Sequence, residues 1–342
     1  MKYGNLALGA ATALLAGATQ AADAPAFREL HRYALGGAGG WDLLAVEESS
    51  RRVFVTRGDR LLVVDADSGK ALGEIGALQR AHGVALVPSL KRGYVSSGGD
   101  DKVVVFDLES LKPVAEIATG KSPDAMLYDT ISNHVFAFDG HGAAATVIDP
   151  ATNRVVATIA LPGKPELAVA DGAGKLFVNL EDKSQVAAID TKANAVLGTW
   201  SLGSCEAPTG IALDAAHQRL FSVCANKQMA VLDAVSGKVV ATLPIGSNPD
   251  GAVFDPHSGN AFSANGDGTL TVVHEDDPAH FRIVANVTTP PRTRTIALDA
   301  KTHRVVLPFA EFGATPAPTK DEPHPRPPMK PESFGLLMVG QP

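Results

Sequence analysis

Asp65-Ala-Asp-Ser-Gly-Lys70 ends one apolar run and opens a turn, and the same signal returns four more times along the chain. It recurs as Asp107-Leu-Glu-Ser-Leu-Lys112, Asp149-Pro-Ala-Thr-Asn-Arg154, Asp190-Thr-Lys-Ala-Asn-Ala195 and Asp233-Ala-Val-Ser-Gly-Lys238, at spacings of 42, 42, 41 and 43 residues. A fixed period in this range marks a stacked or circular array of small units. The head aspartate can accept hydrogen bonds from amides inside the turn. Gly69, Asn153, Asn194 and Gly237 stand where the backbone must turn left-handed, which Gly and Asn do with least strain. Leu111 occupies that position in the second copy and departs from the rule.

Around each marker lie runs of four to six residues rich in Val, Ile and Phe, separated by Gly, Pro, Asn and Asp. In the second copy these are 82–87, 93–96, 103–107 and 113–117. Such runs read as antiparallel strands joined by hairpins. Four short strands cannot bury both faces alone, but blades packed face to face in a closed ring can. The expected fold is therefore all-β: a seven-bladed β-propeller of four-stranded antiparallel blades, at about 41–75, 82–117, 123–159, 165–200, 208–243, 249–287 and from 293 onward. The last copy lacks a fourth strand, and Glu29-Leu-His-Arg-Tyr-Ala-Leu35 is a strand without a blade. Pairing the two would close the ring.

At the N-terminus a basic start (Met1-Lys2), an apolar stretch from Leu6 to Ala18 and small residues through Ala22 have the order of a secretory signal peptide. The expected organisation is a signal peptide over 1–22 and one propeller over 23–342, in the periplasm or secreted, with no transmembrane segment. A net charge of −7 without a long basic run argues against nucleic acid as a partner. A monomer binding a small ligand or an envelope protein is expected.

The lines Pro208-Thr-Gly-Ile-Ala-Leu-Asp214, Arg219-Leu-Phe-Ser-Val223, Arg52-Val-Phe-Val-Thr56 and Val231-Leu-Asp233 resemble the YVTN β-propeller repeats of the YncE family. The resemblance spans about residues 28–340 and is weakest in the last blade. It implies an exported seven-bladed propeller, and it brings no shared catalytic motif.

In a propeller the first strand of each blade lines the channel, so its start and the end of the second strand share one face, the mouth. The residues aligned there are Asp42, His82, Asp124, Glu166, Thr209, Asp250 and Arg294. Carboxylates gathered around one axis repel unless some are protonated or a cation lies between them. The ligand-binding set is thus Asp42, His82, Asp124, Glu166, Asp250 and Arg294. For a divalent metal, the one cofactor considered, the set is Asp124, Glu166, Asp250 and His82. The alternative is that these groups bind only backbone amides and channel water, with Arg294 neutralising part of the charge. Binding or scaffolding is the leading function. A metal-dependent lyase or lactonase is the rival, with Glu166 or Asp124 on the metal and His82 as base.

The ends of the second strands add Asp59, Asp100, His141, Asp182, Asn226, Asn265 and Asp267 to the same face. Cys205 precedes the first strand of blade five and Cys224 ends its second, so the topology predicts a Cys205–Cys224 disulfide on the mouth rim. The insertion at 310–333 holds seven prolines from Pro316 to Pro331 and is expected to be an extended loop. It is open whether that loop is a lid bringing Asp321, Glu322 and His324 to the ring, a docking segment or a solvated flap. His134, His217, His257 and His303 fall in turns on the opposite face and are expected to be solvated. Residues 115–122 fit a loose phosphate-loop pattern, but a strand follows them, not a helix. The stretch at 65–76 opens like a calcium loop but ends in Gly76 where a Glu is required.

Overall fold

The computed structural model describes Met1, residues 26–320, Pro323 and residues 325–342. The signal-peptide stretch and Asp321, Glu322 and His324 lie outside the described residues. Seven four-stranded antiparallel sheets form the chain, and six of them are consecutive in sequence. Blade one, for example, is Leu44–Glu47, Arg52–Thr56, Leu61–Asp65 and Ala71–Ile75.

The seventh sheet closes the ring. Its inner three strands are Ala297–Asp299, Arg304–Phe309 and Gly335–Gly340, and its outer strand is Arg28–Ala34 from the other end of the chain. That strand runs antiparallel to Gly335–Gly340, from Arg28 opposite Gly340 to Ala34 opposite Gly335. The leftover strand and the missing strand of the sequence are one pair.

The core is divided by interface rather than by blade. Seven clusters of buried apolar side chains each draw on two neighbouring blades. At the closing interface Leu44, Val53, Val55 and Val64 of blade one meet Ala297, Val306, Leu336 and Met338 of blade seven. Alternation explains the segregation: each inner strand presents side chains to both neighbouring blades, so both of its faces are buried.

The marker turn also makes contacts between blades. Asp65 accepts from the Ser68 amide and hydroxyl at 2.8 and 2.7 Å, and Asp107 and Asp233 repeat the pattern. Gly69 has φ of +70°, and a Cβ there would strike the Tyr33 ring of the preceding blade. Leu111 keeps the left-handed conformation, with φ of +56°. Its side chain fills the space above Gly73 on the preceding blade. In both turns the bulk at this contact comes from one blade only, from Tyr33 in the first case and from Leu111 in the second.

Candidate functional site

The mouth residues sit on a repeated irregularity. In blades two to six the first strand slips register at its mouth end, for example between Ala81 and Val84 and between Pro123 and Met126. A bulge re-aims a side chain and bends the strand. Here the displaced residues include His82, Asp124, Glu166, Thr209 and Asp250, and neighbouring strands approach closely. A Cβ on Gly83 would lie 2.5 Å from the Asp124 carbonyl oxygen.

Buried polar groups hold the ring backbone in place. Thr56 donates to the His82 carbonyl at 2.9 Å, Ser96 to that of Asp124 at 2.7 Å, and the Asn179 amide to that of Thr209 at 3.0 Å. Thr209 donates to Pro249 and Thr295 to Asp42, at 2.9 and 2.8 Å. Sequence reasoning missed these supports. For three of them the signal is a small polar residue near the mouth end of the second strand (Thr56, Ser96, Asn179) in an otherwise apolar run.

The ring is not evenly charged. Asp42, His82 and Asp124, from three successive blades, bring three donor atoms within 4.8 Å of one another. The Nδ1 of His82 lies 2.5 Å from Asp42 Oδ2 and 3.9 Å from Asp124 Oδ1. Burial opposes the imidazolium, but the Asp42 hydrogen bond and the charges of Asp124 and Asp42 outweigh it, so His82 holds its proton above the ordinary range. Its Nε2 is buried without a hydrogen-bond partner, on the side of Gly98. Burial raises the Asp124 carboxyl, against the pull of His82.

The two other acidic ring members have cations of their own. Lys164 Nζ bonds Glu166 at 2.7 Å and also contacts Glu181. Arg294 Nε lies 3.2 Å from Asp250 Oδ2. Burial still raises Glu166 to about 8 and Asp250 to about 7. Of the four residues expected to hold a metal, His82 and Asp124 therefore meet. Glu166 and Asp250 are engaged elsewhere, and Asp42 completes the trio.

Beside Asp42 opens a cavity of about 280 Å³, lined in part by Trp41, Arg292, Arg294, Phe312, Arg326 and Met329. Phe312, Arg326 and Met329 belong to the Pro-rich insertion, whose base is paired rather than loose. Phe312 bridges Met329, Gly313 donates to Pro328, and Lys330 donates to Glu311, the last two at 2.8 Å. Arg57 holds the loop that leads into Trp41 and Asp42. Fully buried, it donates to the carbonyls of Gly36, Gly37, Ala38, Gly39 and Gly40 and stacks 3.5 Å over Phe334. Nothing in the sequence singles out Arg57 until the 36–40 loop is seen to wrap it.

Three of the residues at the ends of the second strands serve structure. Asp182 accepts from the Lys164 amide at 2.7 Å, Asn226 from that of Glu206 at 3.2 Å, and Asp267 from that of Ser247 at 2.6 Å, each tying down the loop from the previous blade. Cys205 and Cys224 form the expected disulfide at the same kind of joint, with Cα atoms 5.5 Å apart. On the opposite face the turn histidines are more engaged than their turns suggest. His217 contacts Asp214 and Glu275, His303 pairs with Asp255 at 3.0 Å, and His257 stacks on His303. No helix among the described residues is long and apolar enough to cross a membrane.

No protein-family model matches the chain, and no curated protein is similar to it in sequence. Solved structures share the architecture. The chain superposes on hydrazine synthase of Kuenenia stuttgartiensis with a TM-score of 0.69 at 16% identity, covering 86% of this chain and 96% of that one. It matches the WD40 repeats of RRP9 at 0.75 and 10% identity (93% and 99% covered), and U3-55K at 0.74 and 9% (91% and 98%). At these identities the likeness is one of fold. The architecture is a seven-bladed propeller, suited to binding or scaffold roles.

Proposed function

We propose that this chain is an exported, YncE-like propeller that works as a binding protein, seating a cationic group of its ligand, or a divalent cation, at the channel mouth. The observation that carries this reading is the sharing of one imidazole by two acids: Asp42 and Asp124 both flank His82, whereas Glu166 is paired with Lys164 and Asp250 with Arg294. Carboxylate oxygens suit hard ions. His82 as an Nδ1 ligand would fit less well, because ligating histidines usually donate their other N–H and its Nε2 has no acceptor. Arg292, Arg294 and Arg326 with Trp41 would receive an anionic or aromatic portion of the same ligand. Export is supported by the sequence pattern at residues 1–22 and by a disulfide, which persists in oxidising compartments.

Thermal-shift titration with calcium, magnesium and spermidine, which the nitrogen-containing cluster on the opposite face would not favour, tests the reading. At least one should raise the melting temperature of wild type and leave Asp42→Asn/Asp124→Asn unmoved. Equal responses in both proteins, or none in either, refute it.

A metal-dependent lyase or lactonase is the second reading. It is favoured by Glu166 and Asp250, whose carboxyls burial raises into the range useful for proton transfer at neutral pH. Chelator-sensitive turnover of a lactone panel, lost in His82→Ala, would establish it.

A further inference from the structure

In five of the seven blades the third strand carries, one residue beyond its marker position, a side chain that tucks under the preceding blade. The position is fixed by a repeated bond: the amides of Ala66, Leu108, Thr191, Ala234 and Glu275 donate to the carbonyls of Arg51, Lys91, Gly174, Gln218 and Gly259. Four of these five residues are small or apolar, and all five are buried. In blade six the position holds a carboxylate.

Glu275 faces the end of the first strand of blade five. Its side chain is 2% exposed, and Asp214 beside it is 5% exposed. Between blades three and four the equivalent pair is Asp129 with Thr191, a neutral hydroxyl beside a single acid, which helps to hold that acid's pKa down. Glu275 supplies a second acid instead. His217 Nδ1 lies 2.7 Å from Asp214 Oδ2 and 3.0 Å from Glu275 Oε1. Outside this cluster neither oxygen of Glu275 has a hydrogen-bond partner. Arg219, the nearest guanidinium in sequence, is committed to Asp233 and the Pro278 carbonyl. Asp214 itself is half used: Oδ1 accepts from the Ala216 amide at 2.9 Å, leaving Oδ2 toward the cluster.

Two buried carboxylates facing each other with one imidazole are costly unless one is protonated or a cation joins them. We propose that Asp214, His217 and Glu275 form a divalent transition-metal site of the zinc class, on the face opposite the mouth, clamping blade five to blade six. One ligand atom from each residue lies within 4.8 Å of the others. The set of one nitrogen and two oxygens suits zinc or manganese more than calcium. His217, half exposed, supplies the route in from solvent and leaves room for water as a further ligand. The site is independent of the mouth, which lies at the other end of the first strands.

The test is calorimetric titration of zinc chloride into untagged, metal-stripped full-length protein carrying Asp42→Ala and Asp124→Ala to silence the mouth. One equivalent should bind. Adding Glu275→Ala or His217→Ala should weaken binding by more than the about 10–100-fold that loss of an outer partner costs. Glu275→Ala should fold, since Ala66 and Ala234 fill the same position in blades one and five. Cobalt should give visible absorption bands in the parent and none in either variant. Absence of zinc binding in the folded parent, or unchanged binding in Glu275→Ala, overturns the proposal.

Discussion

Asp139 shows how much one side chain can set the pH response of a propeller. It ends the second strand of blade three at the mouth, fully buried, and accepts from Thr146 at 2.7 Å through one oxygen while the other has no partner. Burial raises its pKa to about 6, against the Thr146 hydrogen bond. A carboxyl raised on folding binds its proton more tightly in the native state than in the unfolded chain. Its stabilising effect is therefore complete below about pH 4 and is lost as pH climbs from there through about 6. The change is about 3 kcal/mol at most. Asp139→Asn should raise the neutral-pH melting temperature and flatten its dependence between pH 4.5 and 7, as followed by circular dichroism. A lower melting temperature with an unchanged pH profile would contradict this account of Asp139.

At the scale of elements, the recurring problem is the loop that brings the chain from one blade to the next. Blade three solves it with Asp139. In blade six Asp267 accepts from the Ser247 amide of the incoming loop, while Asn265 behind it braces the blade by donating to Thr269 and Thr271 and accepting from Ser263. Blade five uses the Cys205–Cys224 bond, which closes a span of 19 residues. Loop-closure entropy puts that bond at about 3 kcal/mol. Cys205→Ser/Cys224→Ser should lower stability in urea by about this amount without a change in m-value. Because both cysteines are fully buried, the native protein should resist mild reductant that acts once it is unfolded. Equal midpoints for wild type and variant would show that the joint holds without the bridge. The pairing was legible because both positions fall on the same face of the same blade. The two other joints were not, because an aspartate or asparagine in a turn reads alike whether buried or solvated.

For the whole molecule, the period and the unmatched end strands made the ring readable, since closure is the only arrangement that uses both leftovers. The charge layout was harder. The ring members could be aligned by register, which is why Asp42, His82 and Asp124 were on the page as neighbours around an axis. Lys164 could not be placed, because its reach to Glu166 and Glu181 depends on a bulge that a pattern of apolar residues does not reveal. Glu275 was hidden for a similar reason, standing where the repeat elsewhere has Ala, Leu or Thr, in a blade whose marker aspartate is replaced by His274.

Closure itself is testable. Arg28–Ala34 pairs with the last strand, while Phe27 packs edge-on against Phe262, and Tyr33 and Leu35 join the core between blades seven and one. Removing residues 23–36 should lower the melting temperature by roughly 5–10 °C or more. An unchanged value would mean that the outer strand contributes nothing to the ring.

The central claim is that Asp42 and Asp124 at the mouth share only His82 between them and so receive a further cation from outside. Isothermal titration of metal-stripped wild type with calcium, magnesium and spermidine at low salt measures this most directly, with Asp42→Asn/Asp124→Asn as the comparison. The account predicts saturable heat near one equivalent for at least one of these cations, weakened at higher ionic strength and absent from the double variant. Saturable heat that survives intact in the double variant, or no heat in wild type, would contradict it.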